Sequence, residues 1–370
     1  TLAPAGAAFA GREAGDGALL LATSGTTGKP KGALLTHANL ATQARLIGAA
    51  WGLSEPDRLL HALPLHHMHG VVIALLSTLL AGGCVELRPR FDAVEVWDGL
   101  ARSTVWMGVP TMVHKLLEAH DRADAATRAR WAASARALRL AVSGSAALPV
   151  TLAARWSSIA GQIPLERFGM TEVGVALSNP LDGPRQAGFV GPALPGVDVR
   201  VVDESGRAVA PGEPGEIQVR GATVFAGYLD NPGATERAFR DGWFLTGDTA
   251  TVDAGGAVKI LGRTSVDILK SGGYKLSALE IEETLREHPA VAEAAVVGLP
   301  DETWGQRVEG AVVLREPMTQ PVTVDDLTRF CRERLAPYKV PRRLVVMSDL
   351  PRNLLGKVLK AELAERLQSS

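Results

Sequence analysis

The chain has 370 residues, of which 46% are hydrophobic and 21% are charged, a balance typical of a globular protein with a sizeable core. Lys and Arg together number 39 and Asp and Glu 40, so no net positive charge indicates binding to nucleic acid or to an anionic membrane. Two cysteines, Cys84 and Cys331, exclude a disulfide framework and suit a reducing compartment, and we expect both side chains to be buried.

The first half of the chain alternates strand-like and helix-like segments, which is typical of α/β layers built around a mostly parallel sheet. Residues 18–23 form a short apolar run that predicts a buried strand, and residues 36–50 have helical spacing with Thr36 as the N-cap. A membrane span needs about 20 apolar residues, so the shorter run at 71–85 instead predicts a core helix followed by a turn. Residues 139–143 predict a further strand.

The second half of the chain has a different pattern of predicted secondary structure. From about residue 188, short runs at 197–203 and 215–220 are separated by Pro/Gly turns and predict a small β-rich subdomain. After Arg263, helix-like and strand-like segments predict a compact α+β domain. The helix-like segments are 278–288 and 323–334, and the strand-like segments are 292–297 and 310–314.

A glycine-rich segment, TSGTTGKPKG at 23–32, follows the first predicted strand. Its glycines let a ligand approach the backbone, its hydroxyls donate hydrogen bonds and its lysines bring charge, as polyphosphate binding requires. A P-loop is excluded, because two residues rather than four separate Gly25 from Gly28, and Pro30 follows Lys29. A flexible linker has similar composition, but this segment lies between a strand and a capped helix. The candidate phosphate-binding residues are Thr23, Ser24, Gly25, Thr26, Thr27, Gly28, Lys29 and Lys31.

At this loop the chain resembles the adenylate-forming superfamily, which comprises acyl-CoA synthetases, luciferases and the adenylation domains of peptide synthetases. Five further motifs follow in the order found in that superfamily: RFGMTE at 167–172, WFLTGD at 243–248, GR at 262–263, KSGGYK at 270–275 and PRNLLGKVLK at 351–360. The resemblance covers 17–363. It implies an α/β fold, with part of the family's large domain followed by a small mobile α+β domain. The implied parts are an α/β nucleotide- and acyl-binding part at 1–187, a β-rich part at 188–262, a hinge at 263–267 and a C-terminal domain at 268–370.

The resemblance implies a binding site for ATP and Mg²⁺. Phe168 would lie against adenine, Thr171 would contact phosphate, and Glu172 would hold Mg²⁺, a role that suits a carboxylate beside phosphates. Asp248 would accept both ribose hydroxyls, and Arg263 would reach the ribose or a phosphate. The remaining implied nucleotide contacts are Ser145, Ala146, Arg167 and Gly169.

The last two motifs imply the chemistry of acyl transfer. Lys357 matches the lysine that bridges the acyl carboxylate and the α-phosphate, where a positioned cation lowers the barrier, and it completes a catalytic set with Thr171 and Glu172. The KSGGYK loop resembles the one that closes on the pantetheine arm of CoA, although a simple β-turn is an alternative. Its candidate CoA-binding residues are Lys270, Ser271, Gly272 and Gly273.

Three stretches, at 61–70, 142–149 and 170–191, are most similar to malonyl-CoA synthetases. In that subgroup an arginine binds the distal carboxylate of malonate, and Arg185 occupies its place, although an exposed loop arginine is the alternative. His67 and Ser143 complete the implied acyl-binding set, although the hydroxyls of Ser143 and Ser145 could equally cap the turn. A metal site at the histidines is disfavoured, because no Cys or second acidic ligand has fitting spacing.

The resemblance thus implies a ligase that converts malonate, ATP and CoA into malonyl-CoA, AMP and diphosphate through a malonyl-adenylate, with only small molecules as partners. Three alternatives stay open: a CoA ligase for another short-chain or dicarboxylic acid such as methylmalonate, a nucleotide- or CoA-binding protein without turnover, and an adenylation domain that loads a carrier protein. Relatives carry a further N-terminal portion, and the chain begins with Thr1, so we expect either a piece of a longer enzyme or a shortened protein. We expect a cytoplasmic location, with mitochondria left open.

Overall fold

The computed structural model of the chain describes residues 11–24, 30–315, 321–352 and 357–369. Within these ranges the strands form one sheet of six strands, two of five and one of three. No helix in the same ranges is both long enough and apolar enough to cross a membrane.

The first two strands, β1 (Gly17–Ser24) and β2 (Pro30–Thr36), form an antiparallel pair on either side of the phosphate-loop motif. The strand predicted at 18–23 is confirmed, but the prediction that it is buried is wrong. Leu21 is buried whereas Leu20 is 49% exposed, because nothing in the described part of the chain covers the outer face of β1. Helix α1 (His37–Ala50) begins as predicted after Thr36, which forms a reciprocal capping box with Asn39.

The central sheet has the strand order β4-β3-β5-β6-β7-β8. Its members are β3 (Arg58–His61), β4 (Cys84–Leu87), β5 (Val105–Gly108), β6 (Leu140–Ser143), β7 (Leu165–Met170) and β8 (Gly174–Ser178). All neighbours pair in parallel except β7 and β8, which are antiparallel. The mostly parallel sheet predicted from the alternating segments is therefore confirmed.

Helices cover both faces of this sheet. Consecutive residues on β3, such as Leu59 and Leu60, belong to two different hydrophobic clusters, because side chains alternate across a strand. One cluster includes residues of α1 and of a π-helix, His69–Leu76, that continues into α2 (Ser77–Leu80). The other includes four tryptophans whose rings stack one on the next in the order 131, 97, 156 and 106. The helices around it are α3 (Ala93–Gly99), α4 (Pro110–Arg122), α5 (Ala125–Ala137) and α6 (Val150–Ala160).

The core helix predicted at 71–85 corresponds to the π-helix and α2, which end before a turn at 81–83. Cys84 then opens β4 at the edge of the central sheet and is exposed, whereas Cys331 is buried. The expectation that Cys84 is buried is therefore wrong. An edge strand leaves one side of its first residue open to solvent.

The region after residue 188 is built from short strands, as predicted. These are β9 (Val197–Val202), β10 (Gly215–Gly221), β11 (Gly227–Tyr228), β12 (Phe239–Arg240), β13 (Trp243–Val252) and β14 (Val258–Arg263), with α7 (Pro232–Arg237) before β12. All of them except β11 form an antiparallel sheet, whereas β11 adds to β2. Ile217 and Phe244 join the same hydrophobic cluster as α1, so this sheet packs onto the α/β part.

The C-terminal region has a five-stranded sheet and two hydrophobic clusters of its own. Its strands are β15 (Ile268–Ser271), β16 (Tyr274–Ser277), β17 (Val291–Asp301), β18 (Gly305–Leu314) and β19 (Arg343–Val346), and its helices are α8 (Ala278–Glu287), α9 (Val324–Arg332) and α10 (Lys360–Ser369). Helices α8 and α9 contribute to one cluster and α10 to the other. Glu283 of α8 accepts a hydrogen bond from Thr151 N in the first turn of α6. The predicted fold class is confirmed, and the domain boundaries and the hinge stay predictions.

Candidate active site

Polar side chains collect at the carboxyl ends of the parallel strands, where open α/β sheets bind their ligands. His61 ends β3, Ser143 ends β6, and Arg167 on β7 follows the residue that pairs with Ser143. His69 opens the π-helix, a kind of helix often found at functional sites. Its Nδ1 lies 3.2 Å from Ser145 Oγ, and Ser145 has a φ of +68°, a backbone strain that functional loops often store.

Arg167 is the centre of a buried basic cluster. It is 6% exposed, and its guanidinium lies so close to Gly144 that a Cβ there would be 2.5 Å from Arg167 Cζ. Burial lowers the pKa of Arg167 to about 10, which leaves it charged at neutral pH. Burial likewise lowers the pKa of His61 to about 4 and places that of His69 well below its usual value, so both imidazoles are neutral.

Several polar atoms of this cluster are buried without a partner. In the part of the chain that the structure describes, these atoms make no hydrogen bond: Arg167 Nε and Nη2, His69 Nε2, both ring nitrogens of His61, and Ser143 Oγ. Leaving a buried polar group unsatisfied is costly, and a buried charge more so. The cluster therefore has the composition of a pocket for an anion.

Glu172 and Lys31 meet at Tyr228. Glu172 is buried in the turn between β7 and β8, and its Oε1 accepts a hydrogen bond of 2.9 Å from the Tyr228 hydroxyl. Lys31 Nζ lies 4.2 Å from the centroid of the Tyr228 ring, and Thr23 Oγ1 donates to the Lys31 carbonyl. The structure thus brings the last lysine of the phosphate loop and the predicted Mg²⁺ ligand to the same side chain.

Asp248 and Arg263 are paired across β13 and β14. Arg263 Nε lies 3.2 Å from Asp248 Oδ1, and Arg263 Nη1 donates to the Thr246 carbonyl at 2.8 Å. Burial raises the pKa of Asp248 to about 6, and the charges of Arg263 and Lys357 partly oppose that rise. Lys357 is therefore within electrostatic reach of the predicted ribose-binding carboxylate.

The predicted CoA loop is a two-residue β-hairpin turn between β15 and β16. Gly272 and Gly273 have φ values of +57° and +84°, as the mirror-image turns of tight hairpins require. Ser271 is buried, whereas Lys270 is exposed and acts electrostatically on Glu204, in the turn after β9. The prediction that these residues bind CoA stays a prediction.

Two acyl-site predictions fall outside the basic cluster. All three nitrogen atoms of the Arg185 guanidinium donate to backbone carbonyls, at Ile163, Pro180 and Leu181, over 2.7–3.2 Å. His67 is partly exposed and lies against His66, with ring centroids 4.3 Å apart and the ring planes tilted by 51°, while His69 takes the position beside Ser145. Sequence reasoning preferred His67 to His69 and missed His61, for which the position at the end of β3 was the available signal.

The remaining site residues predicted from the sequence lie on β6 and β7, on the loops that follow these strands, and in the phosphate loop. Ser143 is buried, Ser145 and Ala146 are exposed on the loop after β6, and Phe168 and Gly169 lie on β7 opposite β8. Thr171 is partly buried beside Glu172. Gly25, Thr26, Thr27, Gly28 and Lys29, with the side chain of Ser24, lie outside the described residues.

The chain belongs to the AMP-binding enzyme family. The sequence model of that family matches residues 7–229, and the model of the family's C-terminal domain matches residues 280–357. It is 46% identical to the mouse mitochondrial malonate–CoA ligase ACSF3 over 96% of this chain and 65% of that protein. It is 44% identical to an Arabidopsis thaliana malonate–CoA ligase over 96% of this chain and 61% of that protein. The chain thus spans less than two thirds of the length of these relatives.

Solved structures agree with this assignment. The ATP-bound MatB from Rhodopseudomonas palustris superposes with a TM-score of 0.89 at 40% identity, covering 96% of this chain and 69% of that one. A malonyl-CoA ligase with methylmalonyl-CoA and AMP bound gives a TM-score of 0.66 at 41% identity, covering 93% of this chain and 74% of that one.

Proposed function

We propose that this chain carries the catalytic machinery of a malonate–CoA ligase, which converts malonate, ATP and CoA into malonyl-CoA, AMP and diphosphate. The names of its relatives support the reaction. The structural observation that carries the choice of a dicarboxylic acid is the buried Arg167 guanidinium with two open donor nitrogens.

A carboxylate matches these open donors. Arg presents a planar fork that binds a carboxylate through two hydrogen bonds, and burial strengthens such a pair. Malonate has one carboxylate to react and a second that Arg167 can hold, with Ser143 and His69 beside it. A fatty acid would leave the buried guanidinium without a partner, so the same pocket disfavours it. Arg167, which the resemblance assigns to the nucleotide, thereby replaces Arg185 as the candidate for the distal carboxylate.

Mg·ATP would bind between the phosphate loop, Glu172 and Asp248. Tyr228 occupies one Glu172 oxygen, and no group of three or more His, Cys, Asp or Glu in the described ranges could hold a metal. A single carboxylate fits Mg²⁺, which commonly takes one or two protein carboxylates and completes its shell with phosphates and water. Bound there, Mg²⁺ would offset the charge of the phosphates.

The reaction has two steps. A malonate oxygen attacks the α-phosphorus, the bond to diphosphate breaks, and Lys357 stabilises the charge that builds on the α-phosphate. The CoA sulfur then attacks the acyl carbon, the bond to AMP breaks, and the thiol proton leaves to solvent. Between the steps, the domain after 263–267 rotates, withdraws Lys357 and presents residues 270–275 to CoA, as the family resemblance implies.

The test is AMP release from Mg·ATP and CoA with malonate, methylmalonate, acetate or octanoate, using the chain and its Lys357→Ala variant. We expect turnover with malonate that the variant lacks. Turnover with acetate or octanoate but not with malonate would contradict the proposed specificity, and no turnover with any acid would contradict catalysis by this chain.

Methylmalonate is a second candidate, because a solved neighbour holds methylmalonyl-CoA beside AMP. It offers the same distal carboxylate to Arg167 and differs by one methyl group. The kcat/KM ratio of the two acids in the same assay decides between them.

A further inference from the structure

Lys360 is a buried lysine held between two carboxylates. Its side chain is 11% exposed, and its Nζ lies 2.5 Å from Asp267 Oδ1 and 2.7 Å from Glu282 Oε1. Glu282, on α8, also accepts from Val296 N and pairs with Arg286. Lys360 is the second lysine of the PRNLLGKVLK motif, and the proposed reaction gives it no role.

Asp267 connects this lysine to the nucleotide site. While Oδ1 binds Lys360, Asp267 Oδ2 accepts a hydrogen bond of 2.9 Å from Arg263 N, which closes the predicted hinge segment into a turn. The side chain of Arg263 in turn pairs with Asp248. A continuous polar path therefore leads from Lys360 through the hinge to the predicted ribose-binding carboxylate.

Lys360 lies three residues after Lys357. The two residues are separated by Val358, which forms an antiparallel bridge with Arg352, and Leu359, whose N–H donates to the Pro351 carbonyl at 2.8 Å. Lys360 begins α10, so it fixes the end of this short connection next to the hinge. Lys357 acts electrostatically on Asp248 in this arrangement.

We infer that Lys360 is a positioning residue for adenylate formation, which holds the segment bearing Lys357 against the nucleotide site by binding the hinge carboxylate of Asp267. The inference rests on the proposed function. It concerns the first half-reaction, because Lys357 takes part there and is withdrawn before CoA attacks.

The experiment separates the two half-reactions. Malonate-dependent exchange of diphosphate into ATP reports adenylate formation, and isolated malonyl-adenylate with CoA reports thioester formation. We expect Lys360→Met to lower the exchange rate about 10²-fold, because misplacing a catalytic group by about 1 Å costs that much. Thioester formation should change by less than about threefold.

Lys339→Met is the matched control. Like Lys360, Lys339 binds a carboxylate of α8, and its partner there is Glu280, at 2.6 and 2.8 Å. It should leave both half-reactions unchanged. In addition, Lys360→Met should add little to Lys357→Ala, since both act on one group. Equal losses in both half-reactions, or full additivity with Lys357→Ala, would overturn the inference.

Lys360→Met leaves the Asp267 carboxylate without its cation, which can unfold the domain. The double variant Lys360→Met/Asp267→Asn removes that conflict, since Glu282 stays paired with Arg286 and the introduced amide oxygen would still accept from Arg263 N. The same selective loss of exchange is expected from it. Wild-type exchange activity in the double variant would overturn the inference.

A second measurement needs no acid substrate, so it separates this inference from the proposed function. Trace acetylation of Lys357, read by mass spectrometry, should fall several-fold when ATP is added to the unmodified chain. That protection should be lost in the double variant and kept in Lys339→Met. Protection that is absent from the unmodified chain, or retained in the double variant, would show that Lys360 does not position Lys357.

Discussion

Arg185 donates to two carbonyl oxygens of its own loop and to that of Ile163 before β7, whereas two nitrogen atoms of Arg167 are buried without an acceptor in the described part of the chain. The first arrangement is typical of a side chain that holds a loop together. The second leaves hydrogen-bonding capacity for a ligand. The two arginines should therefore respond differently to substitution, although the sequence motif singled out only Arg185 for the acyl group.

We expect Arg167→Met to lower kcat/KM for malonate by roughly 10²- to 10⁴-fold, since a charge-assisted contact contributes about 1.5–3 kcal/mol and two are lost. Turnover of acetate should change much less, because acetate has no distal carboxylate. The matched variant Arg185→Met should affect both acids alike. A selective loss of malonate use in Arg185→Met alone would restore the assignment made from the motif.

The raised pKa of Asp248 predicts a pH dependence of nucleotide binding. Only the ionised carboxylate can accept from both ribose hydroxyls, and burial raises its pKa to about 6. ATP affinity should therefore weaken as pH falls through about 6, approaching tenfold per pH unit below it. Calorimetric titration between pH 5 and 8 measures this, with Asp248→Asn as the control. Equal pH dependence in the two proteins would assign the effect to another group.

At the scale of elements, the sequence predicted features that depend on neighbouring residues, but it did not predict which strands pair. The start of α1 was predictable because Thr36 and Asn39 satisfy each other within one turn. The antiparallel pairing of β1 with β2 was missed, because a continuous apolar run has the same appearance in a buried and in a half-covered strand. The π-helical conformation of His69–Leu76 could not be predicted either, because it depends on packing and an apolar run looks the same in an α-helix.

The hairpin between β15 and β16 allows two neighbouring glycines to be compared. Both have positive φ, so alanine at either costs about 1 kcal/mol in backbone strain. A Cβ on Gly272 would also lie 2.9 Å from Trp304 Cε3, whereas one on Gly273 would meet nothing within 4 Å. Gly272→Ala should therefore lower the free energy of unfolding more than Gly273→Ala, measured by urea denaturation. Equal losses would mean that the Trp304 ring moves aside freely.

At the scale of the whole molecule, motif order predicted which residues matter, and tertiary structure decided what they contact. Glu172, Asp248 and Lys357 could be named from sequence because each lies in a short motif. The grouping of His61, His69 and Arg167 could not be predicted, since they are far apart in the chain and only parallel pairing of β3, β5, β6 and β7 brings them together. The burial of these polar groups is likewise a tertiary property.

Glu166 makes the stability of the protein depend on pH. It is 4% exposed on β7, and burial, helped by the charge of Glu283, raises its pKa from 4.5 to about 7 against opposing hydrogen bonds from Gly188 N and Leu148 N. The folded state therefore keeps a proton that the unfolded state releases between about pH 4.5 and 7. Stability should fall as pH rises through that window.

Glu166→Gln keeps the acceptor for Gly188 N and cannot ionise, so it should remove this slope and stabilise the protein above pH 7 by up to about 3 kcal/mol. Denaturation at pH 5.5, 6.5 and 7.5 measures the difference from the unmodified chain. Glu213→Gln, at an exposed turn, is the control and should leave stability unchanged. Parallel pH curves for all three proteins would contradict the assignment.

The two cysteine thiols differ in exposure, so only one of them is accessible to a thiol-reactive label in the folded protein. Cys84 is exposed at the edge of the central sheet, whereas Cys331 is fully buried on α9, where burial raises its pKa to about 11 and leaves almost no reactive thiolate at neutral pH. They are the only cysteines in the chain. A maleimide dye added to the native protein should attach at Cys84 alone, which provides a fluorescent reporter without any substitution, and a second dye per molecule would signal that the C-terminal fold has opened.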